Sequence, residues 1–316
     1  MVYHKNKYDE EMEYGMRKQI FVHIGFHKTA TSFLQRCIYP KLKNVRYVKY
    51  GKLKQELYDL RLKRLSDERV QEIRDKVESF YKKKPLLVSY EGLSGSPFSQ
   101  KRSKSNIRVL EDIRRVFPAE EFDVHIIAGI REQVNLLTSL YVQYVHQGGV
   151  NKPERHLKNL ERQGILDHYH YEYYLDKVRE LFGDDHYYVL IYENFKNDMN
   201  AYMLDLLQYM GEDEIPSYEN EQINRSYGTL QMAVGRRANH LFKTRLHPKG
   251  LIPSNPSPIK GKISPRKVLQ SKLSFKLHYK RYHLPGELEN QLKDRYTKSN
   301  RRLQEQYGLD LPGIYF

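Results

Sequence analysis

The sequence predicts an α/β fold, a three-layer sandwich with a central parallel sheet wrapped by helices, followed by a basic, helical C-terminal extension. Three observations carry this expectation. Short apolar runs rich in β-branched and aromatic residues alternate with longer amphipathic stretches. The runs are apolar on both faces, as strands covered by helices on each side must be. The strand signal stops after residue 211, where basic residues begin to accumulate.

Residues 1–17 mix both charge signs, lack the apolar stretch of a signal peptide and predict a loose polar arm. QIFVHIGF (19–26) predicts the first strand, and 29–39 a helix. A mixed-charge helix covers 66–83. Pro85 opens a second strand, LLVSY (86–90). Residues 104–117 place Ile107, Leu110, Ile113 and Val116 at three-residue spacing, a helical face. FDVHIIAGI (122–130) is the third strand, with helices at 132–146 and 168–182. HYYVLIY (186–192) is the fourth, followed by a helix at 197–210. Two more helices, 228–242 and 286–306, flank a loop or lid at 247–265 that carries five prolines. The expected organisation is one domain over 18–316, with a core at 18–211 and an extension at 212–316.

The chain has 54 Lys and Arg against 39 Asp and Glu, a formal charge of +15 over 316 residues. Such an excess invites an anionic partner: nucleic acid, a membrane surface, a phosphorylated cofactor or an acidic glycan. The excess is local. From Gln222 to Gly286 there is no acidic residue and there are 14 Lys and Arg, so the rest of the chain is close to neutral. That segment is a cofactor lid, a site for an acidic acceptor, or a solvated face. The single Cys37 excludes an intramolecular disulfide and a cysteine-based zinc site. No other metal-ligand spacing stands out. No run approaches the roughly 20 apolar residues that span a bilayer, and a cytoplasmic protein is expected.

Two segments carry chemistry. In IGFHKTATSFLQ (24–35) a strand ends, Lys28 follows, and Thr29, Ala30, Thr31 and Ser32 lead into an apolar helix face. Unpaired N–H groups at a helix start attract anions, and a lysine and three hydroxyls add to that pull. The plainer alternative is a helix cap by Thr29. It is not a Walker A loop, which needs Gly-Lys-Ser/Thr, whereas Lys28 follows His27. In GIREQVNLLTSLYVQY (129–144), Arg131 stands at the carboxyl end of a strand, where parallel sheets bind ligands. Ser139 lies about 12 Å further along a helix, so the two can grip opposite sides of one phosphate. The alternative is an ordinary salt bridge and an ordinary helix serine.

Together these segments resemble the sulfotransferases that use 3′-phosphoadenosine 5′-phosphosulfate (PAPS), whose fold is P-loop NTPase-like. HKTATS (27–32) is similar to that family's 5′-phosphosulfate loop, with His27 in place of a common Pro and Ala30 in place of Gly. Arg131, Ser139 and Tyr141 match its 3′-phosphate motif in spacing. YENF (192–195) resembles a recurring segment, and NRS (224–226) and YGLDLPGIYF (307–316) are weaker echoes.

The resemblance implies sulfuryl transfer from PAPS to a hydroxyl or amine of a carbohydrate, lipid or small-molecule acceptor, leaving PAP, with no metal required. It implies that Lys28 offsets charge on the leaving phosphate, that Lys28, Thr29, Ala30, Thr31 and Ser32 hold the 5′ end, and that Arg131 and Ser139 hold the 3′-phosphate. Family members place a His or Glu base near the end of the second core strand, which here points to Glu91; His125 and His27 are rivals. Arg236 and Arg237 are candidates to close over the cofactor's phosphates. Two other functions stay open at this stage: a P-loop-fold small-molecule kinase, and a nonenzymatic nucleic-acid-binding protein using residues 222–286.

Overall fold

The computed structural model describes residues 17–99, 103–219, 228–244, 246–253 and 280–316. Five strands form one parallel sheet: β1 (Lys18–Gly25), β2 (Arg46–Val48), β3 (Leu86–Ser89), β4 (Phe122–Ile130) and β5 (Tyr187–Ile191), in the order β2-β3-β1-β4-β5. The four expected strands are present. The fifth, β2, is a three-residue edge strand that the apolar pattern did not mark.

The alternation along each strand explains the layers. Ile20, Val22 and Ile24 of β1, Leu86 and Val88 of β3, and Val124, Ile126 and Ala128 of β4 share one face and one apolar cluster. Phe21, Leu87, Ile127 and Leu190 point to the opposite face and a second cluster. The first face is covered by α2 (Lys54–Leu62), α3 (Asp67–Glu78), α4 (Asn106–Val116), α5 (Gln133–His146) and α7 (Tyr171–Phe182), through residues such as Leu57, Ile73, Leu110, Leu136 and Leu175. α6 (Pro153–Glu161) adds Leu157 and Leu160. The second face is covered by Leu34 and Ile38 and by Met203, Leu206 and Leu207 of α9 (Met199–Tyr209), which follows the short α8 (Tyr192–Asn197).

The helix expected at 29–39 is not regular. It starts as a single turn, α1 (Thr31–Phe33), widens into a π-helical turn (Leu34–Ile38) and ends in a 3₁₀ turn (Tyr39–Lys41). Such wide turns carry an extra residue and commonly sit beside functional sites. Here the π turn carries Gln35, whose amide donates to the carbonyl and hydroxyl oxygens of Ser89 at the end of β3, at 3.1 and 3.0 Å.

The C-terminal extension is partly built into the core. α10 (Thr229–Ala238) and two short paired strands, β6 (Phe242–Lys243) and β7 (Ile252–Pro253), precede α11 (Gly286–Tyr307). α11 buries Leu292, Tyr296 and Leu303. Asn300 and Gln133 exchange amide hydrogen bonds at 2.8 and 3.1 Å, and Asn300 also donates to the Tyr315 carbonyl at 2.8 Å. The expected lid at 247–265 lies outside the described residues from 254 onward, as does NRS (224–226).

Both amides of the pair are buried, so removing Asn300 takes a donor from Gln133 Oε1 and from the Tyr315 carbonyl, while Gln133 Nε2 keeps the Tyr169 carbonyl. Asn300→Ala is expected to cost about 2 kcal/mol, read as a lower urea midpoint at unchanged slope.

Candidate active site

β1 and β4 lie side by side, in register from Lys18↔Phe122 to Gly25↔Gly129. Both therefore release the chain at the same level of the sheet's carboxyl edge. The two glycines make the junction possible. A Cβ on Gly25 would come within 2.2 Å of Thr31 Oγ1, and one on Gly129 within 2.7 Å of Thr29 Oγ1. The loop after β1 thus rests directly on the strand ends.

The loop turns tightly. Lys28 and Ala30 both have positive φ, 69° and 64°, while Thr29 between them does not. This alternation turns successive N–H groups toward one concavity, an arrangement suited to anions. The Ala30 carbonyl accepts from the N–H groups of Phe33 and Leu34, at 2.9 and 3.2 Å, and so starts α1. Thr29 is buried, and its hydroxyl donates to the Phe26 carbonyl at 2.5 Å. Its proton is spent on shaping the loop. Thr31 Oγ1 is buried with no hydrogen-bond partner among the described residues, and so is Nε2 of His23 just below. Ser32 is half-buried.

Arg131 joins the second segment to the first. Its Nη1 donates to the Lys28 carbonyl at 3.2 Å, and its guanidinium lies 4.6 Å from the centre of the Tyr192 ring. Its Nε is buried without a partner among the described residues. The Tyr171 hydroxyl donates to the Arg131 carbonyl at 2.7 Å. The next residue, Glu132, caps α5 by accepting from the N–H groups of Val134 and Asn135 at 2.7 and 2.8 Å. Its own N–H donates to Glu193, which also accepts from the Tyr315 hydroxyl at 2.9 Å. The YENF segment and the chain's last residues therefore share one task, holding the Arg131 junction.

Glu91 follows β3, the other neighbour of β1, and begins a 3₁₀ turn (Glu91–Ser94) at the same edge. Burial pushes its carboxyl above the ordinary carboxylate range, opposed by the charges of Lys28 and Arg61. Burial also holds Lys28 below the ordinary lysine range; Glu91 opposes this and Arg131 adds to it. Lys28 and Glu91 feel each other's charge without forming an ion pair among the described residues. His27 is pushed down to about 3, by burial first and then by Arg61 and Lys28, so its ring is neutral.

Ser139 is half-buried two turns into α5. Tyr141 is buried and donates to the Asn151 carbonyl at 3.0 Å, a structural role. Arg236, in α10, is half-buried and its charge reaches Tyr141 and Tyr282; Arg237 is exposed on the same helix. His125 stands in the middle of β4, opposite Phe21 and four residues before Gly129, about 13 Å along the strand from the loop junction; its ring is engaged by Asp123 and Tyr209.

Two cations escaped the sequence reading. Arg61, in α2, donates to the Tyr90 hydroxyl at 3.0 Å and faces Glu91 and His27. No motif surrounds it. Arg281 pairs with Gly228 in an isolated bridge, and its charge reaches Arg131. Part of the basic segment thus returns to the site at Arg281.

No family model matches the chain, and no curated protein matches it. Several solved structures are similar. One is a sulfotransferase from Alicyclobacillus acidocaldarius, 15% identical over 71% of this chain and 93% of that one, with a TM-score of 0.44. Another is mouse sulfotransferase SULT7A1 complexed with PAP, 13% identical over 92% and 86%, TM-score 0.40. A third is the sulfotransferase domain from the curacin biosynthetic pathway, 12% identical over 85% and 99%, TM-score 0.37. At these scores the likeness carries no functional argument, which rests on the residues of the site.

An alanine at a left-handed φ is strained by about 1–2 kcal/mol. Ala30→Gly is therefore expected to raise thermal stability by up to about 1 kcal/mol after glycine's entropy loss. Gly129→Ala should do the reverse, by about 1–3 kcal/mol, because Thr29 has nowhere to retreat. Thermal denaturation of both variants checks the pair.

Proposed function

We propose that the chain is a PAPS-dependent sulfotransferase. The observation that carries this reading is the pairing of two anion-seeking groups on adjacent strands. The Lys28–Ser32 loop and Arg131 share one sheet edge and one hydrogen bond; Glu91 acts on Lys28 and Glu193 on Arg131 through charge, and neither cation forms an ion pair among the described residues. The buried, unpartnered Thr31 Oγ1 and Arg131 Nε are the kind of donors that two phosphate groups would engage. This supports a bis-phosphorylated donor more than a triphosphate with Mg²⁺.

In this reading the backbone N–H groups of Thr29, Ala30 and Thr31, with the hydroxyls of Thr31 and Ser32, hold the donor's 5′ phosphosulfate. Arg131 and Ser139 hold the 3′-phosphate, and Arg236 and Arg237 approach from α10. Lys28 neutralises negative charge growing on the 5′-phosphate oxygen as its bond to sulfur breaks. Glu91 takes the proton of the acceptor hydroxyl or amine as the new bond to sulfur forms. Its raised affinity for protons suits that task, because a stronger base accepts a proton more readily. The acceptor is a carbohydrate, a lipid or a small molecule.

PAP is expected to raise the melting temperature, and ATP with Mg²⁺ is not. Lys28→Ala and Arg131→Ala should each weaken PAP binding about 10- to 100-fold, since each removes a charge-assisted contact; stabilisation by ATP–Mg²⁺ alone would overturn the reading. Glu91→Gln should keep PAP binding and lose about 10²- to 10⁴-fold in turnover with labelled PAPS.

The pH profile follows from the two shifts. Glu91 must be deprotonated, so activity should rise with pH through a midpoint above the ordinary glutamate value of about 4.3. Lys28 must be protonated, so activity should fall through a midpoint below the ordinary lysine value of about 10.4. A rate profile lacking the acid limb in Glu91→Gln would agree; an unchanged limb would remove Glu91 from the role.

A further inference from the structure

The opposite edge of the sheet holds a second polar cluster that the proposed reaction does not use. Asp123 and His125 are two residues apart on β4 and therefore share a face. The parallel register pairs Ile126 with Tyr187, and the Ile126 N–H donates to the His186 carbonyl at 2.9 Å, so His186 arrives beside His125 just before β5. Their rings lie 4.9 Å apart. The Asp123 carboxylate reaches both: His125 Nε2 is 3.1 Å from one oxygen and His186 Nε2 is 2.9 Å from the other.

We propose that Asp123, His125 and His186 form a binding site for a borderline divalent cation of the Zn²⁺ class, which ties β4 to β5 at the amino edge of the sheet. Each residue offers one ligand atom, and the three atoms lie within 4.8 Å of one another. A tetrahedral zinc ion with bonds of about 2.0–2.1 Å holds its ligands about 3.3 Å apart. The three atoms, within 4.8 Å of one another, must draw together to reach that spacing. Two imidazoles and one carboxylate suit zinc and its neighbours rather than Mg²⁺ or Ca²⁺, which favour oxygen alone. The three side chains are 22%, 14% and 30% exposed, in the order Asp123, His125, His186, which leaves a path for the ion and room for water as a fourth ligand.

The surroundings support the same assignment. A ligating histidine usually uses its other nitrogen to fix its ring. His125 Nδ1 lies 2.7 Å from the Tyr209 hydroxyl at the end of α9. With a metal on both Nε2 atoms, the Nδ1–H of His125 can donate to the Tyr209 oxygen, while His186 Nδ1 is buried without a hydrogen-bond partner among the described residues. The Gln19 amide, on β1, donates to Asp123 Oδ2 at 3.3 Å and so holds the carboxylate from a third strand; it also lies 3.2 Å from His125 Nε2 and must turn aside where that nitrogen binds a metal. Arg17, whose charge reaches the cluster, donates to the Ala119 carbonyl. Arg131 follows the far end of β4, about 20 Å along the strand from His125 and about 26 Å from Asp123, so the site is separate from the proposed transferase chemistry.

The rival account is a carboxylate that simply lies between two imidazoles. Titration of metal-free full-length protein with Zn²⁺, in competition with a chromogenic chelator, separates the two. One tight equivalent is expected, and it should weaken at least about tenfold in His186→Gln and in the near-isosteric Asp123→Asn. Co²⁺ should give visible ligand-field bands in the parent chain that both variants lose. Circular dichroism of the variants checks that they are folded. Zn²⁺ affinity equal in the parent and both variants, or Co²⁺ bound without those bands, overturns the proposal.

Discussion

The close seat of the first loop on the sheet edge is the constraint on which the rest depends. It exists because two neighbouring strands end in glycine at the same level, Gly25 and Gly129. With side chains there, Thr29 and Thr31 would be lifted, and Lys28 would move away from Arg131. With glycines, the loop is drawn down until its own carbonyl meets the guanidinium of the next strand. The left-handed angles at Lys28 and Ala30 follow from the same descent. Strain of this kind persists only where surrounding contacts over-determine it. Here those contacts are the Thr29–Phe26 bond, the Arg131–Lys28 bond and the start of α1.

A second layer of residues serves this junction without touching a ligand. Glu132 caps its helix, Glu193 holds the Glu132 N–H, and Tyr315 holds Glu193. Tyr171 fixes the Arg131 carbonyl, and Tyr192 lies against its guanidinium. Several of the chain's many tyrosines thus serve as rigid rings with one polar end, packed in the core while the hydroxyl reaches a backbone or carboxylate oxygen. Tyr296 does the same for the Leu166 carbonyl.

What the sequence made legible was what local pattern encodes. The apolar runs at 19–26, 86–90, 122–130 and 186–192 have strand period and strand composition, and each became a strand. Lys28, Glu91 and Arg131 could be placed because each follows such a run within two residues, and a parallel sheet brings its carboxyl ends together. β2 was not legible because three residues carry no period. The π turn was not, because one extra residue in a turn leaves the apolar spacing almost unchanged. Arg61 belongs to a helix whose charges look like any solvated face. Tyr141 was read with its motif, yet its hydroxyl is consumed by the Asn151 carbonyl, a contact set by tertiary packing alone. Asp123 and His125 are visible as neighbours, but their meeting with His186 depends on the β4–β5 register.

The pairing of β1 with β4 has a kinetic side as well. Ile20 meets Val124 across a closed loop of about a hundred residues, a long-range contact of the sort that slows folding. The two halves of the proposed anion site therefore come together only when this pairing forms, and neither half is complete before it. Any anion that bridges them acts on the folded state alone and adds its binding free energy to that late event. If the proposed anion binds, resistance to local opening along the β1–β4 seam should track its supply, so that the liganded chain is a slower target for proteolysis than the free one.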